Sequence, residues 1–145
     1  MSASSSSNRD SAAYPYQAVF VPFPFVCFTL AFLTDIAFWQ TTNLMWQNFS
    51  AWLLFAGLVF GAFGLLAGLL DLLRPRTWPM RPAFVVILLY LVILALAFLN
   101  SLFHAGDGWT AVVPYGLVTS LVTFVVMLLA AAMSARKYSR LAWRV

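Results

Sequence analysis

The sequence predicts an all-α protein built for a lipid bilayer: an integral membrane four-helix bundle with both termini in the cytoplasm. Three observations carry that reading. Hydrophobic residues make up 63% of the chain and charged residues only 8%, too few polar side chains to cover a water-soluble domain of this size. Four apolar segments recur, near residues 20–39, 51–73, 83–102 and 115–133, each close to the ~20 residues that cross ~30 Å of hydrocarbon. Positive charge is confined to alternate connections: Arg74, Arg76 and Arg81 lie between the second and third segments, and Arg136, Lys137, Arg140 and Arg144 follow the fourth. The connections 40–50 and 103–114 contain no Lys or Arg. The enrichment of basic residues on the cytoplasmic side of membrane proteins then orients the chain. The same placement accounts for the net charge of +4 through anionic lipid headgroups, without nucleic acid.

The elements follow in order. Residues 1–16 are Ser-rich and offer no apolar face whose burial would offset the entropy of ordering, so a disordered tail is expected there. The first apolar segment is longer than the ~7–15 residue core of a cleaved signal and lacks a basic lead-in, so it is expected to stay. It begins VFVPFPFVCF, with Pro22 and Pro24 near the start, where a missing N–H is tolerated. Helical spacing puts Pro24, Phe28, Ala31 and Asp35 on one face, continued by Trp39. A helix running on to Thr42 would leave Asp35 roughly two turns, ~10 Å, below the outer surface. A carboxylate at that depth must face the bundle or find a partner, or cost ~2.5–3.5 kcal/mol.

The second segment carries Gly57, Gly61, Gly64 and Gly68. At ~100° per residue they fall within ~60° of one another, a smooth stripe on which another helix can approach closely. Asp71 lies on the same stripe near the cytoplasmic end, within pairing reach of Arg74. The third segment ends in AFLNSLFHAGDGWTAVVP, which delivers Asn100, Ser101, His104 and Asp107 to the outer side. Gly106-Asp107-Gly108 has the chemistry of a turn. Asp35, Asn100, His104 and Asp107 together form a candidate outer polar site, as structural hydrogen-bond partners or as a functional centre. Trp39, Trp46, Trp52 and Trp109 fall at the expected outer boundary and Trp78 and Trp143 at the inner one, as suits rings with an apolar body and one N–H donor.

Complete catalytic motifs are not found: the chain has no P-loop, no GxGxxG after a strand, no HExxH and no CxxC. Cys27 is alone and reads as a packing group. With a single histidine, one chain cannot supply both imidazoles of a bis-His haem. A metal held by Asp35, His104 and Asp107 is chemically feasible, but the spacing is not diagnostic, and no catalytic residue, metal or cofactor is predicted. A proton-carrying Asp35 coupled to His104 is the sharper alternative. It would need polar groups down the bundle, where the sequence offers chiefly Thr29, Thr119, Ser120 and Thr123. The Asn48-Phe49-Ser50 sequon abuts a membrane segment and is set aside.

The runs AVFVPFPFVCFTLAFLTDIAFWQT, NFSAWLLFAGLVFGAFGLLAGLLDLL and HAGDGWTAVVPYGLVTSLVTFVVMLL resemble the bacterial membrane-protein family DUF2231, a domain of unknown function. The resemblance covers about residues 16–135. Its carriers are Phe23-Pro24 early in the first helix, Asp35 near that helix's outer end, and the Ala67-Gly68-Leu69-Leu70-Asp71 ending of the second. It implies a helical membrane fold and names no activity. Many members carry a His beside the first-helix proline and another near the fourth helix; this chain has Val21-Pro22 and Phe23-Pro24 instead. Some relatives accompany periplasmic or membrane-bound redox proteins, including sugar-dehydrogenase-like and Rieske-type partners, which implies a subunit role. The expectation is therefore an inner-membrane anchor or assembly subunit for a protein partner, in contact with membrane lipid and able to self-associate through helix packing. The alternative is a small proton-coupled transporter or redox component using Asp35.

Overall fold

A computed structural model describes residues 14–106 and 108–142. The described residues are all helical or in connections: α1 (Gln17–Phe20), α2 (Pro22–Thr41), α3 (Leu44–Leu72), a 3-10 turn (Pro75–Met80), α4 (Phe84–His104), α5 (Trp109–Val112) and α6 (Tyr115–Ala142). Four stretches are long and apolar enough to cross a membrane, Gln17–Thr41, Leu44–Leu72, Phe84–His104 and Trp109–Arg136. The expected four-helix membrane bundle is thus the fold observed.

Each boundary has a local cause. Pro22 and Pro24 lack the N–H groups that would bond back into α1, so α1 and α2 are separate helices. Val21 between them keeps a right-handed helical backbone, and the two continue one another. α2 stops at Thr42, whose left-handed φ of 53° turns the chain while its N–H still reaches Phe38 O at 2.7 Å. Asn43 then caps α3, its side chain accepting from Met45 N at 3.0 Å. α3 therefore starts at Leu44, well ahead of the apolar run that begins at Ala51. Gln47 and Ser50, polar enough to read as connection, are helical and buried toward the bundle. At the far end of α3, Thr77 Oγ1 donates to the carbonyls of Asp71 and Arg74, both at 2.7 Å. Arg81 caps Leu72 O at 2.8 Å and stacks over Trp78.

The helices close in a ring, α2 packing on α3 and α6 while α4 packs on α3 and α6. Short links make sequential helices antiparallel neighbours, so α2 and α4 end where α3 and α6 begin. The core at mid-height is Phe28, Ala31, Leu54, Ile93, Ala97 and Met127. A second apolar layer, Phe38 with Ala111 and Val112 of α5, lies toward the Asp35 end. Around both, leucines, valines and phenylalanines are exposed on every long helix, the distribution expected where hydrocarbon replaces water as solvent.

α3 meets its neighbours closely. A Cβ added at Gly57 would stand 2.4 Å from the Phe28 ring of α2, one at Gly61 2.4 Å from Leu94 of α4, and one at Gly64 2.6 Å from the Tyr90 hydroxyl. Tyr90 also donates to Gly61 O at 3.1 Å. At the Arg74 end, Asp71 is only 4% exposed. Its carboxylate accepts from the first N–H of α1, Gln17 N, at 3.0 Å and pairs with Arg74 at 3.5 Å, while the Arg74 guanidinium stacks on Tyr16 at 4.2 Å. Asp71 thus supplies from another helix the N-terminal cap that α1 lacks in its own sequence.

Candidate functional site

Asp35 of α2 is fully buried. The periodicity that carries Pro24, Phe28 and Ala31 inward carries Asp35 with them, and the face continues to Phe38. Trp39, placed on that face by spacing, is instead 48% exposed, because the inward stripe steps to 38 after 35. Asp35 gathers donors from three other helices. Ser50 Oγ of α3 donates to Oδ1 at 2.5 Å and Ser120 Oγ of α6 donates to Oδ2 at 2.5 Å. His104 Nε2 of α4 lies 2.8 Å from Oδ1. One carboxylate therefore ties together all four long helices.

Hydrogen positions follow from the partners. His104 Nδ1 faces Asn100 O at 3.0 Å, and a carbonyl only accepts, so Nδ1 carries a proton. The Nε2–Oδ1 contact then requires a second proton shared between imidazole and carboxylate, since two bare acceptors would repel at that distance. Asn100 Nδ2 donates to Ser120 Oγ at 2.6 Å, which leaves the Ser120 hydroxyl proton for Asp35. Thr34 Oγ1 stands 2.7 Å from Ser50 Oγ and also donates into its own helix at Leu30 O and Ala31 O.

The site is closed. Asp35, Ser50, Asn100, His104 and Ser120 are each at most 5% exposed, between the mid-bundle core and the Phe38–Ala111–Val112 layer. Gln47, one turn before Ser50, donates to Gly106 O at 3.1 Å and ties α3 to the turn after α4. Gly116 makes room for the imidazole: a Cβ there would lie 2.9 Å from His104 Cε1 and 2.9 Å from Ala111 O.

This arrangement resembles a Ser–His–Asp set only in composition. Both serines bond the carboxylate and neither bonds the imidazole, whose second nitrogen is spent on a carbonyl. The imidazole therefore does not stand as the base beside a serine nucleophile, as the triad mechanism requires. Among the described residues no third metal-binding side chain joins Asp35 and His104.

Of the residues singled out from sequence, Asp35, Asn100 and His104 come together. Asp107 lies outside the described residues, and Ser101 turns away to bond Phe98 O. Sequence reasoning missed Ser50, read as the end of a glycosylation sequon, and Gly116; Ser120 was noted only as a mid-helix polar group. Their signal was position: Ser50 sits at the depth of Asp35 once α3 is extended to its true start at Leu44, and Ser120 lies at that depth five residues into α6, which starts at Tyr115 as expected. The four glycines of α3 and Asp71 lie further along that helix than Ser50, with Asp71 at its opposite end. Arg74, Arg76 and Arg81 lie at that same far end, with Arg136 near the end of α6. The Lys137 and Arg140 side chains, Trp143 and Arg144 are outside the described residues, as are residues 1–13 of the tail.

No curated protein and no solved structure matches the chain. A family model described as a predicted membrane protein does match, over residues 14–144, a span that includes every helix and every residue of the buried network. The chain belongs to that family, DUF2231.

Proposed function

We propose that this protein is an anchor or assembly subunit of a bacterial inner membrane, with both termini cytoplasmic, that presents the Asp35 end of its bundle to a partner on the periplasmic side. The observation that carries this reading is how the buried polar groups are used. The Asp35 carboxylate is saturated by donors from α3, α4 and α6, so its chemistry is spent on fixing the relative positions of four helix ends. A rigid end formed in this way suits a docking platform better than a moving carrier. The basic residues at the Arg74 end support the orientation. The glycines of α3 support close helix contact within the bundle, and the resemblance supplies the partner class, a periplasmic or membrane-bound redox enzyme.

The alternative, a proton-coupled transporter using Asp35, meets an obstacle at mid-height. Phe28, Ala31, Leu54, Ile93, Ala97 and Met127 separate the Asp35 network from the Asp71–Arg74 junction with an apolar layer, and a through-path for ions needs polar groups at every level. Purification through a C-terminal tag in mild detergent tests the leading reading. A second polypeptide should co-elute in fixed proportion; a solitary chain, under conditions that keep other membrane complexes intact, rejects it. Proton flux in reconstituted vesicles that is abolished by Asp35→Asn, in protein that inserts normally, would install the alternative.

A further inference from the structure

The Asp35–His104 contact holds a proton that nothing else in the site can replace. With Nδ1–H committed to Asn100 O, the 2.8 Å approach of Nε2 to Oδ1 exists only while one more proton lies between them. The two hydroxyls at the carboxylate are already used: Ser50 and Ser120 each point their single proton at it. Two nearby acceptors, Asn100 Oδ1 and Gln47 Oε1, are buried without a donor. Neither hydroxyl has a second proton to give, so loss of the shared proton turns an attractive contact into a repulsive one and leaves the carboxylate charge in a closed site with two serine donors and no proton toward the imidazole.

We propose that the Asp35–His104 pair is a reversible proton-binding site, and that release of its proton loosens the joint between α2 and α4 at this end of the bundle. No other titratable or charged side chain among the described residues faces the pair. α3 presents Gln47 and Ser50, α5 presents Ala111 and Val112, and α6 presents Gly116 and Ser120. Tyr115, at the start of α6, is turned outward and 66% exposed. Asp71 is 21 residues beyond Ser50 on α3, ~32 Å along the helix, and the described arginines lie at that same far end. Proton exchange is one-sided, through the end closed by α5, because the apolar core blocks the other direction. The stability the pair contributes is present below the release midpoint and lost as pH rises through it. This inference stands whether or not a partner binds.

The chain's single histidine makes the test direct. Protein labelled with ring-15N histidine, carrying a histidine-free tag and held in nanodiscs, gives two ring resonances to follow with pH. Nε2 is expected to pass from protonated to bare at one midpoint while Nδ1 stays protonated throughout. Ser120→Ala removes a donor that favours the bare carboxylate and should raise the midpoint by about half to one pH unit, a three- to tenfold tighter proton. Asp35→Asn should lower it by about two units, a hundredfold loss. Amide exchange in residues 35–50 and 100–120 should quicken above the midpoint, with 57–71 unchanged. Nε2 locked in one state across the pH range of the folded protein overturns the proposal. So does a midpoint that Ser120→Ala fails to raise in protein whose amide exchange at 57–71 matches the wild type, or exchange that is indifferent to pH.

Discussion

A carboxylate inside a bilayer survives by being surrounded, and at the residue scale the cost of undoing that surround sets the first prediction. Asp35→Ala leaves His104, Ser50 and Ser120 buried without their common acceptor. Breaking one side of a buried pair costs about 3–5 kcal/mol, and denaturant unfolding in mixed micelles should register a loss of that size. The double variant with His104→Ala should cost less than the sum of the two singles, a coupling of about 0.5–3 kcal/mol; strict additivity would mean the contact contributes nothing. Gly116 gives a subtler test. A methyl group there presses on His104 Cε1 and on the backbone oxygen of Ala111, and only the ring can yield. Gly116→Ala should therefore shift the histidine resonances and cost about 1–3 kcal/mol, despite the better helix propensity of alanine. How much of this was legible is a matter of geometry. Depth can be counted in turns, and it placed Asp35, Asn100 and His104 at one level. Azimuth cannot be counted across 69 residues of separation, so which serines would face the carboxylate depended on packing that no local pattern encodes.

At the scale of elements, the helices were legible from hydropathy, and their ends were less so. α3 begins at Leu44 because Asn43 caps it and because Gln47 and Ser50 have partners inside the bundle; a hydropathy profile registers only that those residues are polar. The glycines of α3 show the converse, a pattern visible in sequence whose receiving surfaces are not. Gly57 meets Phe28 of α2 and Gly61 meets Leu94 of α4, so one helix face serves two neighbours. Gly57→Val should destabilise the bundle by about 1–3 kcal/mol through overpacking, and Phe28→Leu in the same chain should recover part of the loss by clearing the space. No recovery in thermal unfolding would place the strain elsewhere. Asp71 acts at the same scale, since it caps a helix in which it does not reside. Asp71→Ala should cost about 1 kcal/mol and quicken amide exchange at Gln17–Phe20 ahead of the rest; uniform exchange would show that α1 needs no such cap.

For the whole molecule the governing asymmetry is charge. Four antiparallel crossings put both ends of the bundle's chain on one side of the membrane, and Arg74, Arg76 and Arg81 join them there by topology. Which side that is depends on the cost of moving each cation across the bilayer during insertion, a cost that basic residues in short loops dominate and acidic residues scarcely affect. The connections at the opposite end carry no Lys or Arg to compete, so the bias is undiluted. Reporter fusions after Gly106 should therefore register as periplasmic, and fusions within the Arg74–Arg81 connection or after Val145 as cytoplasmic. The sharper test moves the charge and leaves the helices alone. Replacing Arg74, Arg76 and Arg81 with Gln while adding three lysines around Asn43 should produce a mixed or inverted population, read by the same reporters. The buried network would tolerate inversion, because the contacts from Asp35 to α3, α4 and α6 lie wholly within the bundle. An inverted bundle should thus keep the wild-type histidine spectrum while losing any partner confined to one side. If instead the charge-swapped chain keeps its orientation, interactions other than the arginines fix the insertion.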